Sequence, residues 1–387
     1  MAYAWQVLID GEDAAGITLS GAQISYGRST VWEQPRPGYC YLQLLTPDAV
    51  PSIADDFPDL APGAFGAKSG FSDTYVNDYY GVVSKLVVGA PVKVTASTPT
   101  GFTDAYVDNY GNGDTLTRFT GRITAIDYEP GEAAVTVVDA SEALTRVDLK
   151  EWQRPGESDH YRVGAIAKAA GVTIQVDGQD TTNLLPDDQP TTVTAWAALQ
   201  KIAQDCGAVV YVDRDGVIHY SCWDDKGKAR TIPGEAVILD SLRMSSELGS
   251  VVNQVTVEYG AKDTEGKQPQ VLLSDEESVT AYGVMDKRFT TRLADEADAR
   301  TMAGQIVKQA ARPAWSMPEA TVTFLRATDP VISSVAPLEV QDQVLIGPMP
   351  SAAPFLDYQA LVLGYSETLD PNDWQMTLHL SPQEYVP

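Results

Sequence analysis

Near both ends of the chain, apolar side chains fall on every second position. Cys40, Leu42 and Leu44 alternate with Tyr41 and Gln43, and Trp374, Met376, Leu378 and Leu380 alternate with Gln375, Thr377 and His379. In extended backbone successive side chains point to opposite faces, so a period of two predicts strands with one buried and one wet face. Such strands cannot stand alone. They need neighbours to pair their backbone N–H and C=O groups and a second layer to cover the apolar face. Other segments carry the same signal: Gln6 to Asp10 running into Gly11, and Phe119 to Tyr128 and Ala133 to Ala140 as a hairpin around Glu129-Pro130-Gly131-Glu132. Asn253 to Tyr259, Gln343 to Ile346 and Tyr358 to Ser366 complete the set.

The middle of the chain changes period. Tyr161 to Ala170 reads as a short helix closed by Gly171. Trp196, Leu199, Ile202, Ala203 and Cys206 fall on one helical face, with Thr192 or Thr194 as N-cap and Gly207 as the stop. Ala208 to Val212 and Val217 to Cys222 then form a hairpin about Asp213-Arg214-Asp215-Gly216. Further on, Ala299, Met302, Ala303, Ile306 and Ala310 share a face, with Asp295 and Asp298 as a capping-box-like start and Pro313 as the end. The expected order is a β section at 1–148, a small α/β module at 149–236, and a second β section at 237–387 with one helix at about 295–311.

One segment repeats. Gly70-Phe71-Ser72-Asp73-Thr74-Tyr75-Val76-Asn77-Asp78-Tyr79 returns as Gly101-Phe102-Thr103-Asp104-Ala105-Tyr106-Val107-Asp108-Asn109-Tyr110. Two copies are too few for a solenoid, which needs about three to bury a continuous core. The repeat lies in 51–117, where every acid is Asp, and an insertion of paired loops on the rim of the first β section is expected there.

Composition excludes several functions. Lys plus Arg is 27 and Asp plus Glu is 53, a net charge of −26, so no phosphate-neutralising nucleic-acid surface is expected. No apolar run approaches the ~20 residues of a membrane span, and the first ten residues lack the basic start of a secretory signal. Cys40, Cys206 and Cys222 are too few and too scattered for a disulfide framework, and each is expected to be a small buried hydrophobe.

Chemical motifs are missing too. His160, His219 and His379 are far apart, with no His-x-x-x-His or Cys-x-x-Cys spacing, and the polar phase of their strands predicts that His219 and His379 are solvated. Asp73, Asn77, Asp78, Asp104, Asp108 and Asn109 are hard oxygen donors suited to calcium, but no EF-hand or nonapeptide calcium loop contains them. Turn formation is the preferred role for these Asx residues, and no metal or cofactor is expected. There is no nucleophile elbow, phosphate loop or dinucleotide fingerprint. The pairs Asp55-Asp56, Asp187-Asp188 and Asp224-Asp225 could serve a glycosidase in principle, but in so acidic a chain such pairs arise by chance. No enzyme is expected. Tyr75, Tyr79, Tyr80, Tyr106 and Tyr110 cluster in or beside the repeat and are the candidate interface residues. Tyrosine suits protein interfaces, which are part apolar and part wet, although a glycan-stacking platform would use the same rings.

A family resemblance rests on the order of several short strings. Tyr26-Gly27-Arg28-Ser29, Pro35 to Gly38 and Cys40-Tyr41-Leu42-Gln43-Leu44 resemble the opening of minor tail proteins of phages infecting actinobacteria. The Gly-Phe-Ser/Thr-Asp-x-Tyr-Val repeat is similar to Asp/Tyr-rich segments of those proteins. Phe119-Thr120-Gly121-Arg122-Ile123 with Val137-Val138-Asp139-Ala140 resembles the closing hairpin of the first barrel of a baseplate hub. Trp196 to Tyr220 is similar to the hub's α/β module. Val251 to Val255, Ser278 to Gly283 and the helix ending near Pro313 resemble the second barrel segment.

The resemblance implies a mainly β fold with α+β parts, in which two β-barrel-like domains are separated by the α/β module. It implies a non-enzymatic virion protein, a tail-tip hub subunit that forms a homotrimeric ring below the tail tube. Expected partners are the distal tail protein, the tape measure protein and central-fibre or receptor-binding proteins. Many hubs carry a fused lytic domain, and none is expected here. A distal tail protein, or a peripheral minor tail protein that binds host-surface glycan, would share much of this pattern.

Overall fold

A computed structural model describes residues 4–13, 19–45, 86–97, 115–129, 132–177, 183–221, 229–324, 327–370 and 373–382. The first section holds β1 (Ala4–Ile9), β2 (Glu12–Asp13), β3 (Leu19–Gly27), β4 (Arg36–Leu45), β5 (Pro91–Ser97), β6 (Thr115–Glu129) and β7 (Glu132–Val138), followed by the short helix α1 (Ser141–Thr145). The module after it contains β8 (Asp148–Trp152), β9 (Glu157–Ser158), α2 (Asp159–Ala170), β10 (Ile174–Asp177), β11 (Leu184–Leu185) and β12 (Thr191–Thr194). It continues through α3 (Ala195–Cys206), β13 (Val209–Val212) and β14 (Ile218–Ser221). Then come β15 (Arg230–Pro233), β16 (Gln254–Glu258), β17 (Gln270–Ser274), α4 (Glu276–Tyr282), β18 (Asp286–Thr290) and α5 (Glu296–Ala310). The chain finishes with β19 (Glu319–Thr323), α6 (Asp329–Val335), β20 (Gln343–Gly347), β21 (Tyr358–Asp370) and β22 (Asp373–Leu380).

The period-two pattern does what it should. In β22 Trp374, Met376, Leu378 and Leu380 are all buried, as are Cys40, Leu42 and Leu44 in β4. These strands belong to one twelve-stranded sheet ordered β15-β20-β21-β3-β4-β7-β6-β5-β1-β2, with β22 paired to β21 and β19 paired to β22. The fold is mainly β with several sheets, none of them closed among the described residues. The expectation of two separate barrel-like domains is not met in that form. β3 from the first section and β21 from the last are hydrogen-bonded neighbours in antiparallel register, from Gly27↔Gly364 to Ala22↔Leu369.

Glycine makes that seam possible. A Cβ on Gly27 would stand 2.4 Å from the Leu363 carbonyl oxygen, and one on Gly364 would stand 2.5 Å from the Tyr26 carbonyl oxygen. Gly27 also holds φ at +84°, a left-handed conformation that side chains resist. The two backbones therefore cross at a distance only this pair of residues allows.

The main core lies under the sheet and draws on both ends of the chain, from Val7 and Ile24 to Met376 and Leu378, with Val331, Ile332 and Val335 of α6. A second core belongs to the α/β module, where α2 and α3 pack over the β10-β14-β13 sheet. The caps of α3 and the glycine stop of α2 are as expected, while α2 starts two residues earlier than expected, with Ser158 as its N-cap. Ser158 and Thr194 accept hydrogen bonds from Tyr161 N and Ala197 N, and Gly171 and Gly207 close the helices at positive φ. A third core forms between α5 and the β17-β16-β18 sheet.

Three local expectations change. The last section carries α4, α5 and α6 rather than a single helix. Asp295 is the N-cap of α5 without a side-chain cap bond, and Asp298 accepts from Leu184 N at 3.0 Å instead of closing a box. Within 51–117, β5 is a sheet strand between β1 and β6, with Val92, Val94 and Ala96 fully buried. Any insertion must therefore lie on either side of β5. Cys40 is a buried hydrophobe as expected, while Cys206 is half-buried and Cys222 lies outside the described residues.

Candidate functional site

The five tyrosines proposed from the repeat, Tyr75, Tyr79, Tyr80, Tyr106 and Tyr110, lie outside the described residues, as do Asp55-Asp56, Asp224-Asp225 and the Asx donors of the repeat. The described residues contain three clusters of charge and one sheet face that bear on function.

The first cluster sits where the α/β module meets the sheet. Glu367 of β21 points into the core and is 1% exposed. Arg118 of β6 grips it with both ends of its guanidinium, Nε donating to Oε2 at 2.9 Å and Nη2 to Oε1. Trp374 Nε1 donates to the same carboxylate at 3.1 Å. Arg214, in the β13–β14 turn, reaches across from the module, donating to Glu367 at 3.3 Å and to Glu339 at 3.0 Å. It also donates to the Leu338 carbonyl, and its guanidinium lies 4.1 Å over the Tyr365 ring. Burial alone would raise the Glu367 carboxyl, but the two guanidiniums outweigh it and hold the group below the usual carboxylate range. For Glu339 the balance goes the other way, and burial pushes its carboxyl up despite Arg214. Two cations and two anions, all bonded, form a closed structural joint. Each carboxylate oxygen is occupied, so none is free to move a substrate proton.

The second cluster corrects the expectation of a solvated His219. Its ring is 9% exposed, stacked on Tyr211 at 4.9 Å between centroids, and bonded at both nitrogens. Nε2 meets Asp213 at 2.9 Å and Nδ1 meets Asp177 at 3.2 Å. Burial lowers its proton affinity, but the two carboxylates outweigh this and raise it above the ordinary histidine value. With carboxylates on both nitrogens, the ring has no atom left to activate a nucleophile. It clasps β10 to the β13–β14 hairpin. The sequence signal that was missed is the Asp at each end of the strand pair. His379 is half-buried, 3.6 Å from Glu319.

The third cluster lines a cleft of about 460 Å³ between α3, β12 and the loop at 186–189. Asp188, one half of a proposed acid pair, lies between Arg162 at 3.0 Å and Arg292 at 3.2 Å. Asp187 accepts from Gly156 N. Asp205 takes Arg292 Nε at 2.6 Å and Lys201 Nζ at 2.7 Å. Arg162, Arg292 and Lys201 thus share Asp188 and Asp205, with Arg292 bridging the two, and Asp187 brings the cluster to three cations and three anions. Among the described residues no group of His, Cys, Asp and Glu is placed to hold a metal ion, and no helix is long and apolar enough to cross a membrane.

The sheet face opposite the main core is unlike any of these. Six neighbouring strands run β19-β22-β21-β3-β4-β7. Their register lines up the water-facing side chains in rows. One row reads Thr321, Thr377, Ser366, Ser25, Tyr39 and Val138, and the next Thr323, Gln375, Thr368, Gln23, Tyr41 and Thr136. All are exposed or half-buried. Within these six strands neither row contains a charge, but the first continues into exposed Arg122 of β6, opposite Val138, and Asp373 accepts hydrogen bonds from Thr323 and Gln375 of the second. Acids appear only toward the strand ends, at Glu319, Asp370, Asp373 and Glu132, and Arg36 is the one Lys or Arg in the six strands. At about 4.8 Å per strand the neutral band is about 25 Å wide.

No protein-family model matches the chain, and no curated protein matches it in sequence. Solved structures do match its fold along the whole length. The crystal structure of the 43 kDa tail protein of prophage MuSo2 from Shewanella oneidensis gives a TM-score of 0.61 at 11% identity, covering 99% of this chain and 99% of that one. A tail protein from Neisseria meningitidis gives 0.62 at 13% identity, covering 100% and 99%. The prophage tail protein gp18 from Listeria monocytogenes gives 0.55 at 11%, covering 97% and 94%. These sources lend nothing to the expected actinobacterial host. From end to end, the chain has the fold of phage-type tail proteins.

Proposed function

We propose that this chain is a structural subunit of a phage-type tail tip, a baseplate hub that forms a homotrimeric ring below the tail tube. The observation that carries this reading is the fold match, which covers 99–100% of this chain and 99% of each of two tail-protein structures. The joint of Arg118, Arg214, Glu367 and Glu339 fits a part whose work is to keep modules in fixed relation. In this reading 1–148 and 237–387 supply the ring and 149–236 is the module between them. The stretches flanking β5, with Tyr75, Tyr79, Tyr80, Tyr106 and Tyr110, contact another tail protein. Partners are the distal tail, tape measure and central-fibre or receptor-binding proteins. The protein resides in the virion tail tip and hydrolyses nothing.

Stoichiometry and position in assembled particles test the reading. Three copies on the tail axis are expected. Copies confined to peripheral fibres, or six around the tube, would remove the hub assignment. A zymogram on host cell wall should be blank for the purified chain.

A further inference from the structure

The cleft beside α3 brings together groups that the fold does not use up. Its volume of about 460 Å³ lies within the ~300–1,000 Å³ of small-ligand sites. Val193, Ala198 and Ile202 give it an apolar lining, to which Trp152 adds part of its indole. Trp152 stands beside a bulge. It pairs with Thr191 while Leu149 pairs with Val193, so β8 carries one residue more than β12, and Glu151 holds φ at +49° there. A left-handed backbone is uncommon for glutamate, and a bulge re-aims the side chains next to it. Arg154 keeps its guanidinium 5.8 Å from the indole centroid. Around the apolar lining stand polar groups with bonding capacity to spare. Among the described residues, Arg292 engages Asp205 through Nε and Asp188 through Nη1 and keeps Nη2, and Lys201 uses one of its three N–H groups on Asp205. Asp187 accepts from Gly156 N through Oδ1 and keeps Oδ2, while the exposed side chains of Gln189 and Thr191 bond to no other described residue. Donors and acceptors are therefore mixed, and the charges around them are balanced.

We propose that this cleft binds a sugar ring, a neutral pyranose unit of a saccharide. An anion would lie against Asp187 and Asp188 and a cation against Arg292 and Lys201, so the balance favours neither. A purely apolar ligand would strip water from the polar groups and offer no bond in exchange. A pyranose ring carries C–H groups on its faces and hydroxyls around its edge. The faces match the apolar lining and the indole, and each hydroxyl can donate to Asp187 or Gln189 and accept from Arg292 or Lys201. Ion pairs already hold Arg292 and Lys201 in place, so binding has little left to order. The site goes beyond the structural role proposed above and does not depend on it.

Calorimetric titration of the full chain tests the assignment. The probes are the methyl glycosides of glucose, galactose, mannose and N-acetylglucosamine, with glucuronic acid and glucosamine as charged counterparts. At least one neutral glycoside is expected to bind, and both charged sugars to bind about tenfold more weakly, since each leaves a charge unpaired in the cleft. Trp152→Ala should weaken binding of the neutral sugar about tenfold. Gln189→Ala, at an exposed position that the fold does not rely on, should weaken it about fivefold, the worth of one neutral hydrogen bond. This second variant carries the test if Trp152→Ala does not fold. Tetrasaccharides of the bound sugar separate two sources of the same chemistry. Affinity that rises with length supports a polysaccharide ligand, and affinity that stays level supports a single sugar. Three results overturn the proposal: no neutral glycoside binding at about 10 mM, tighter binding of glucuronic acid or glucosamine, or binding that the folded variants leave unchanged. Each of these leaves the tail reading standing, because that reading is tested by copy number and position in the particle.

Discussion

The two sides of the same six strands distribute charge in opposite ways. The buried side carries Glu367, bonded to Arg118 and Arg214 in the core, while the middle of the wet side carries no charge at all. Ordinary solvation would reverse this. A charge in the core costs several kcal/mol of desolvation and persists only when fully partnered, so its presence signals a geometric task. Outside, Thr and Tyr are residues that strands favour, while Asp, Glu and Lys are depleted there, so the strands themselves account for part of the missing charge. Both departures lie on β21, one residue apart, at Glu367 and Thr368.

Breaking the inner side should give the largest effect. Glu367→Gln keeps the shape but leaves two guanidiniums in the core without their shared anion. The expected loss is about 3–5 kcal/mol of folding stability, read by chemical denaturation. Replacing Arg118 with Met in the same chain should recover part of that loss. If Glu367→Gln melts like the parent, the joint is decoration and the comparison fails. The pH dependence has a definite sign. The folded carboxyl of Glu367 lies below its unfolded value, so its stabilisation is present above the unfolded value and disappears as pH falls through the folded one.

A smaller effect is expected at His219, which is also ion-paired but sits nearer the water. His219→Gln should cost about 1.5–3 kcal/mol, the range for hydrogen bonds to charged groups. The folded imidazole has a raised proton affinity, so its contribution is complete below the unfolded value near 6.5 and is lost as pH rises through the folded value. The difference in stability between parent and His219→Gln should therefore narrow from pH 6 toward alkaline pH. A gap that widened instead would mean that the neutral ring, not the charged one, holds the clasp.

Much of this comparison was legible in the sequence, but not all for the same reason. Alternation in β4 and β22 predicts which residues are buried, because a period of two leaves a strand little choice of face. The helix α3 announces both its caps, a Thr before and a Gly after, and α2 announces its glycine stop, because these residues satisfy local backbone groups. What local pattern cannot give is partnership across the chain. Arg118 and Glu367 are separated by 249 residues and Arg214 and Glu367 by 153. Nothing near any of them marks a joint. The same holds for the seam at Gly27 and Gly364, which turns two expected barrels into one sheet. The scarcity of Lys and Arg in the six strands was visible, but only the register shows that the neutral positions form one band.

The smallest effect is expected on the wet side, and there a near-zero result is the informative one. Thr368 is exposed and lies opposite Gln23, with open water beyond both. Thr368→Lys and Thr368→Glu, made singly, should each change folding stability by no more than about 0.5 kcal/mol, the usual range for surface substitutions. Lys and Glu are only mildly disfavoured in strands relative to Thr, and neither meets a like charge in the two rows. Equal tolerance of both signs would mean that the sheet has no folding reason to exclude charge at this position. A loss above about 1.5 kcal/mol for both would mean that the band is neutral because the sheet requires it. A loss for Glu alone would have a different cause, since a chain of −26 resists a further anion anywhere on its surface. The Lys variant is therefore the decisive one. It relieves the overall charge while breaking the neutrality of the face, so folding should accept it.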